Sequence, residues 1–190
     1  MNLPNRLTIL RVILTPIVAA LLYQSGWGWQ LVAAAAFGAA SLTDLMDGYI
    51  ARKRHMESDF GRFVDPIADK VLITAAMVVL VAQSRMAAWA VILFISREFV
   101  ISAFRLLAAA KGVVIAADKL GKYKTLAQTF AVLLATLLVP SGGYEPALGQ
   151  WGMRLAAAVT YVALILSVGS CVHYIYANRR ILGEADGNGR

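Results

Sequence analysis

Four aspartates stand in two pairs near the ends of two apolar segments. Asp44 and Asp47 are three residues apart and Asp65 and Asp69 are four apart, so each pair lies one helical turn apart on one face. An aspartate at membrane depth costs about 2.5 to 3.5 kcal/mol even on lenient insertion scales, so four of them require cationic partners. Carboxylates without Cys or His beside them suit Mg²⁺ or Mn²⁺. The spacing predicts two divalent ions per site, about 3.5 to 4 Å apart, an arrangement that serves phosphoryl displacement.

Small and basic residues surround the first pair. Gly48, Ala51 and Gly61 leave room for a bulky ligand to approach the backbone. Arg52 follows one turn after Gly48 and can hold a phosphate through two parallel hydrogen bonds. These positions are therefore candidates for binding a phosphorylated ligand beside the metals.

Two other interpretations of the acids remain open at this point. Taken singly, each aspartate could form a structural salt bridge with Arg52, Arg54 or Lys70, or belong to a proton relay. A small ion or proton transporter would spread its acids across the bilayer depth and break helices near the midplane. Here the acids gather at the ends of two segments beside the basic loop 51–63, which disfavours transport.

Composition indicates a membrane protein that is all-α and polytopic. The chain has 190 residues, of which 59% are hydrophobic and 15% charged, far too apolar for a soluble domain. Apolar runs long enough to cross a hydrocarbon core recur along it. We predict six transmembrane helices and a single domain over 1–182 followed by a disordered tail at 183–190; the helices are predicted at 7–25, 30–53, 66–84, 86–110, 120–140 and 150–177.

Charge distribution predicts the orientation. With both termini in the cytoplasm, only Arg85 and Arg154 of the 18 Lys and Arg residues fall on the outer side, in agreement with the positive-inside rule. Tryptophans mark the predicted outer ends of the helices, at positions 27, 29, 89 and 151. The net charge of +7 then reflects orientation and attraction to anionic membrane lipids, and no nucleic-acid partner is expected. We therefore predict a multi-pass inner-membrane protein whose active-site cavity faces the cytoplasm.

The acids belong to a longer pattern, D-x-x-D-G-x-x-A-R-x8-G-x3-D-x3-D, which runs from Asp44 to Asp69. This pattern resembles the signature of the CDP-alcohol phosphatidyltransferase family at every position. The resemblance implies transfer of a phosphatidyl group from a CDP-linked donor to an alcohol, with release of CMP. It further implies that Asp44, Asp47 and Asp65 are metal ligands, that Asp69 is both a ligand and the general base, and that the protein is a homodimer. Gly48, Ala51, Arg52 and Gly61 match the positions that accommodate the CDP moiety.

Four further segments indicate the acceptor. Residues 2–16, 65–70, 95–105 and 121–125 resemble the branch of the family that uses CDP-diacylglycerol as donor and glycerol 3-phosphate as acceptor. Inositol phosphate, serine and phosphatidylglycerol remain alternative acceptors, because the shared signature concerns only the donor and the metals.

An acceptor that carries a phosphate requires fixed cations. Arg97 and Arg105 lie broadly on one side of the fourth helix, about 80° apart, and are predicted to face a common cavity. Lys122 and Lys124 begin the fifth helix and are further candidates, although they can equally be positive-inside determinants. A pairing of Arg97 with Glu98 is expected to be poor, because neighbours in a helix point about 100° apart.

Overall fold

In the computed structural model, the described residues form a bundle of six α-helices. The structure describes the backbone of residues 3–54, 59–113, 119–140 and 148–179, and the side chains of residues 10–42, 70–113, 123–140 and 148–179. The helices are α1 (Leu3–Tyr23), α2 (Trp27–Arg54), α3 (Asp59–Ala82), α4 (Ala88–Ala110), α5 (Lys119–Leu138) and α6 (Gly149–Ala177). The predicted tail at 183–190 lies outside the described residues.

The six predicted helices are confirmed, and most of their ends agree with the sequence to within a few residues. The main difference is α3, which begins at Asp59 and not near residue 66. Hydropathy misses this first part because it is polar, with Asp59, Arg62 and Asp65 among its residues. The consequence is that Asp65 and Asp69 lie inside a helix and are not at its beginning.

Helix packing is centred on α1, α3 and α5. Helix α1 packs against α2 and α3, α5 packs against α2, α3 and α6, and α4 packs against α3 and α6. Large side chains such as Leu22, Phe37, Leu80 and Phe94 are fully buried among small ones. Alanines of the core, which include Ala33, Ala76, Ala131, Ala135 and Ala163, allow the backbones of neighbouring helices to approach closely.

The outer faces of the helices carry many exposed apolar side chains. Examples are Ile13, Phe99, Leu106 and Ile165, the last of which is 71% exposed. Such a surface exceeds what a soluble monomer normally presents to water. By length and hydropathy, α6 is the one helix in the described part that is apolar enough to cross a bilayer, and shorter apolar stretches lie at Leu10–Tyr23, Lys70–Ala82 and Tyr123–Leu138.

The four tryptophans lie at one end of the bundle. Trp27, Trp89 and Trp151 stand in the first turn of α2, α4 and α6, and Trp29 follows in α2. All four are exposed, and the Arg154 guanidinium stacks over the Trp151 ring at 5.1 Å. This is the end that the sequence assigns to the outer membrane interface.

Candidate active site

The signature residues occupy the opposite end of the bundle, on two consecutive helices. Asp44, Asp47, Gly48, Ala51 and Arg52 lie in the last part of α2. Gly61, Asp65 and Asp69 lie in the first half of α3. The side chains of these eight residues lie outside the described part, so their roles remain predictions.

The two aspartate pairs lie at similar distances from the helix ends that residues 55–58 connect. Along the helix axes, Asp47 is about 10 Å before the end of α2 and Asp65 about 9 Å after the start of α3. Asp44 and Asp69 are each about 15 Å from those same ends. The helices are joined by residues 55–58, a connection length typical of antiparallel helix pairs. Helices α2 and α3 each pack against α1 and α5.

The donor set at these positions fits a hard divalent cation. It consists of four carboxylates on two helices, without sulfur or imidazole among the signature residues. Oxygen-only ligands of this charge are those that Mg²⁺ and Mn²⁺ prefer. The chemistry of the donor set therefore agrees with the metal site that the sequence predicts.

A second polar group lies beside α3 and is fully described. We call it the Glu98 cluster; it consists of Lys70 of α3, Arg97, Glu98 and Ser102 of α4, and Lys124 of α5. Glu98 Oε1 accepts hydrogen bonds from Arg97 Nη1 at 3.1 Å and from Lys124 Nζ. Ser102 Oγ accepts from Lys70 Nζ and donates to the Glu98 carbonyl oxygen at 2.7 Å. The cluster thus joins three helices, and its Lys70 directly follows Asp69 in the chain.

Arg97 lies at the contact between α4 and α6. Its Nε donates to the Ser167 carbonyl oxygen at 3.3 Å and its Nη2 donates to Ser170 Oγ at 2.9 Å. The expectation that Arg97 pairs poorly with Glu98 is wrong, since Nη1 lies 3.1 Å from Glu98 Oε1. Both side chains are long enough to bend towards each other although their Cα–Cβ bonds diverge. The guanidinium has five N–H groups in all, so groups remain for a ligand.

The four residues that were predicted to bind the acceptor phosphate differ in burial and in contacts. The structure brings Arg97 and Lys124 to one carboxylate, and Lys124 is 5% exposed. Arg105 is exposed, two turns further along α4 from Arg97. Lys122 lies in the first turn of α5, and its side chain is outside the described part.

Several polar residues of the described helices were not predicted as site residues from the sequence, although Glu98 was considered as a partner of Arg97. Glu98 and Ser102 are one helical turn apart, a signal of a shared face that the pattern did contain. Arg11 is a further case, because it is buried and continues the inward face of α1 formed by Thr15, Val18 and Leu22. A basic residue within an apolar helix is itself a signal of function or pairing. Ser167 and Ser170 gave no such signal.

Comparison with known proteins identifies the family of this chain. The family profile described as CDP-alcohol phosphatidyltransferase matches residues 1–172. The chain belongs to this family, whose members are embedded in membranes and depend on divalent metals. The resemblance seen in the signature is therefore confirmed.

Individual relatives carry more specific names. A CDP-diacylglycerol–glycerol-3-phosphate 3-phosphatidyltransferase of Bacillus subtilis is 44% identical over 143 residues, which cover 69% of this chain and 74% of the relative. A Rickettsia typhi protein of the same name is 33% identical over 91% of this chain and 98% of its own length. A probable phosphatidylglycerophosphate synthase of Mycobacterium tuberculosis is 36% identical over 96% of this chain and 84% of its own.

Proposed function

We propose that this protein transfers the phosphatidyl group of CDP-diacylglycerol to sn-glycerol 3-phosphate, giving phosphatidylglycerol phosphate and CMP. The observation that carries the proposal is the complete signature from Asp44 to Asp69, within a chain most of whose length aligns with relatives of this named activity. The signature supports the donor and the reaction type. The relatives' names support the acceptor.

Asp44, Asp47, Asp65 and Asp69 would hold two divalent ions, Mg²⁺ or Mn²⁺. Bound there, the ions supply positive charge for the donor diphosphate and for the departing CMP phosphate. Gly48, Ala51 and Gly61 leave space for the CDP moiety, and Arg52 adds two hydrogen bonds to a phosphate. The similar distances of the two aspartate pairs from the connected ends of α2 and α3 support this arrangement.

Asp69 would act as the general base. Its carboxylate accepts the proton of the acceptor's 1-hydroxyl while that oxygen forms a bond to the phosphorus of the phosphatidyl group. The bond from this phosphorus to the CMP oxygen breaks, and CMP leaves with the electron pair. Support comes from Lys70, the next residue, whose contact with Ser102 places this part of α3 next to α4, the helix that carries Arg97.

Arg97, Arg105, Lys122 and Lys124 would bind the phosphate of glycerol 3-phosphate. Arg97 and Lys124 are mostly buried and share Glu98, so they offer two cations at one place. Arg105 is exposed towards the end of α4 and would meet the acceptor as it enters. Buried cations of this kind favour an anionic acceptor over a neutral alcohol.

We further propose that all six helices cross the inner membrane, with both termini and the active-site cavity on the cytoplasmic side. The exposed apolar faces and the tryptophans at one end support this placement. Membrane lipids then surround the bundle, and a second copy completes a homodimer, as the family resemblance implies.

The test is an acceptor panel with the purified protein in detergent micelles. Labelled CDP-diacylglycerol is offered with Mg²⁺ and glycerol 3-phosphate, inositol phosphate, serine or phosphatidylglycerol, and the lipid product is identified. We expect phosphatidylglycerol phosphate and CMP in equal amounts, with activity lost on chelation and restored by Mg²⁺ or Mn²⁺. Turnover with another acceptor in place of glycerol 3-phosphate would refute the proposed acceptor, and turnover that persists without divalent ions would refute the metals.

A further inference from the structure

Two cations and one carboxylate meet within the Glu98 cluster. Arg97 Nη1 and Lys124 Nζ both donate to the same oxygen, Glu98 Oε1. The side chains of Arg97, Lys124 and Glu98 are 10%, 6% and 17% exposed. Removing one member of a buried ionic group leaves charge that neither solvent nor protein compensates. Glu98 therefore offsets part of the cost of burying these two cations.

Arg97 does not depend on Glu98 for its position. Its other two hydrogen bonds go to Ser167 and Ser170 of α6, which fix the guanidinium from the opposite side. Lys124 differs, because an ammonium group has three donors on a flexible stem and can turn between acceptors. An incoming phosphate can thus share Lys124 while Arg97 stays in place.

The charge balance of the cluster has a consequence for turnover. The cluster contains three cationic side chains, Lys70, Arg97 and Lys124, and one carboxylate, Glu98, so its cations outnumber its anion and can attract a phosphate. In the proposed reaction the same phosphate stays on the product, so whatever holds the acceptor also holds the product. An anion already present in the site favours release, because it neutralises the cations again when the product leaves.

We infer that Glu98 is a positioning residue of the acceptor site, an internal counter-ion that competes with the acceptor phosphate for Lys124 and Arg97. It lowers the affinity for glycerol 3-phosphate and for the phosphorylated product, and it speeds product release. The inference rests on the proposed function. It adds Glu98 as a residue that affects acceptor binding through Arg97 and Lys124, without itself contacting the donor.

The experiment compares Glu98→Gln and Glu98→Asp with the wild type in steady-state kinetics. Glu98→Gln keeps the shape and removes the charge, so KM for glycerol 3-phosphate should fall by about fivefold, as for a charge interaction at a partly shielded site. The kcat should also fall, and KM for CDP-diacylglycerol should stay within about twofold, since the donor diphosphate lies at the aspartates. Glu98→Asp restores the charge and should return KM for glycerol 3-phosphate towards the wild-type value.

A purely structural Glu98 predicts a different result. Loss of a structural contact would raise KM for glycerol 3-phosphate, or change both KM values together, and either outcome would overturn the inference. Lys124→Met should change KM for glycerol 3-phosphate in the opposite direction to Glu98→Gln, because the loss of a cation should raise this KM.

A second pair of variants tests the inference in case the Glu98→Gln protein does not fold. Lys124→Met alone is compared with the double variant that also carries Glu98→Gln, in which one cation and one anion are removed together. The double variant should have the lower KM for glycerol 3-phosphate, because the carboxylate no longer competes for Arg97. An equal or higher KM in the double variant contradicts the inference.

The wild-type control separates this inference from the proposed function. If the wild type does not use glycerol 3-phosphate, the proposed function fails and the inference falls with it. If the wild type uses glycerol 3-phosphate but the Glu98 variants leave its KM unchanged, the inference alone fails.

Discussion

At the scale of single residues, Asp69 stands where the two polar regions of the molecule meet. It lies on α3 about 15 Å from the helix start, among the signature aspartates. The next residue, Lys70, contacts Ser102, and Ser102 donates to the carbonyl oxygen of Glu98. The proposed base is therefore tied through the backbone to the group that we assign to the acceptor.

Asp69→Asn should lower turnover by at least about 100-fold, the usual contribution of general-base catalysis. Binding of CDP-diacylglycerol in the presence of Mg²⁺ should be largely retained, because three of the four carboxylates remain. Turnover is measured by CMP release and binding by equilibrium titration. Asp59→Asn, at the start of the same helix but outside the signature, is the matched control and should keep near wild-type activity. If Asp69→Asn turns over normally, another group is the base.

Arg97 illustrates how one residue is read differently in sequence and in space. As a letter in an apolar helix it indicated a ligand-binding cation. In the folded chain it also joins α4 to α6 through Ser167 and Ser170 and pairs with Glu98. A buried arginine can do both, because a planar guanidinium has five donors in fixed directions.

At the scale of elements, side-chain hydrogen bonds connect the turn between α3 and α4 to the adjoining ends of α1 and α2. Arg85 Nη1 donates to Gln30 Oε1 at 2.6 Å, and Gln30 Nε2 donates to the Gln24 carbonyl oxygen at 2.5 Å. Gln83 Nε2 donates to the Leu22 carbonyl oxygen at 2.7 Å. These contacts lie at the tryptophan end, far along the helices from the signature. They are expected to support the stability of the bundle and not the chemistry.

Arg85→Met should reduce the free energy of unfolding by about 2 kcal/mol, the usual value for a hydrogen bond to a charged group. Because the site is at the other end, both KM values should remain those of the wild type. The measurement is thermal unfolding in detergent together with the kinetic assay. Arg154→Met is the matched control at the same end, since Arg154 is exposed and stacks on Trp151. Equal destabilisation by the two variants would show that the buried network contributes nothing of its own.

At the scale of the whole molecule, the signature lies at one end of the bundle, and the described helices expose apolar side chains on their outer faces. The signature lies at the end of α2 and in the first half of α3, and exposed side chains such as Phe99 and Ile165 face outward. In the topology that we propose, the end that carries the signature faces one side of the membrane. The orientation that we propose makes that side the cytoplasm.

Cysteine labelling tests the orientation. The single native cysteine is first removed as Cys171→Ala, and Ser25→Cys or Val113→Cys is then added in the α1–α2 turn or after α4. Both positions are exposed. A maleimide that does not cross membranes should label Ser25→Cys in intact cells, and Val113→Cys only after lysis. The reverse pattern would refute the proposed topology, and the cysteine-free protein measures the background.

Much of the element scale could be predicted from the sequence because its causes are local. A run of about 20 apolar residues is a helix in a membrane whatever packs against it, since its backbone must satisfy its own hydrogen bonds. The signature likewise depends on spacing within two helices and on residue chemistry, both of which are local. The start of α3 at Asp59 was missed because its polar residues follow no apolar pattern.

The sequence by itself thus determined the six helices, the family and the candidate metal site. Only the tertiary structure decided that Lys70, Arg97 and Lys124, from three different helices, gather around Glu98 and Ser102. The reason is that such contacts depend on how helices are placed beside one another and on the reach of long side chains. Spacing along one helix contains information about neither the placement of helices nor the reach of side chains. For this reason the sequence disfavoured the pair of Arg97 and Glu98 that the structure contains.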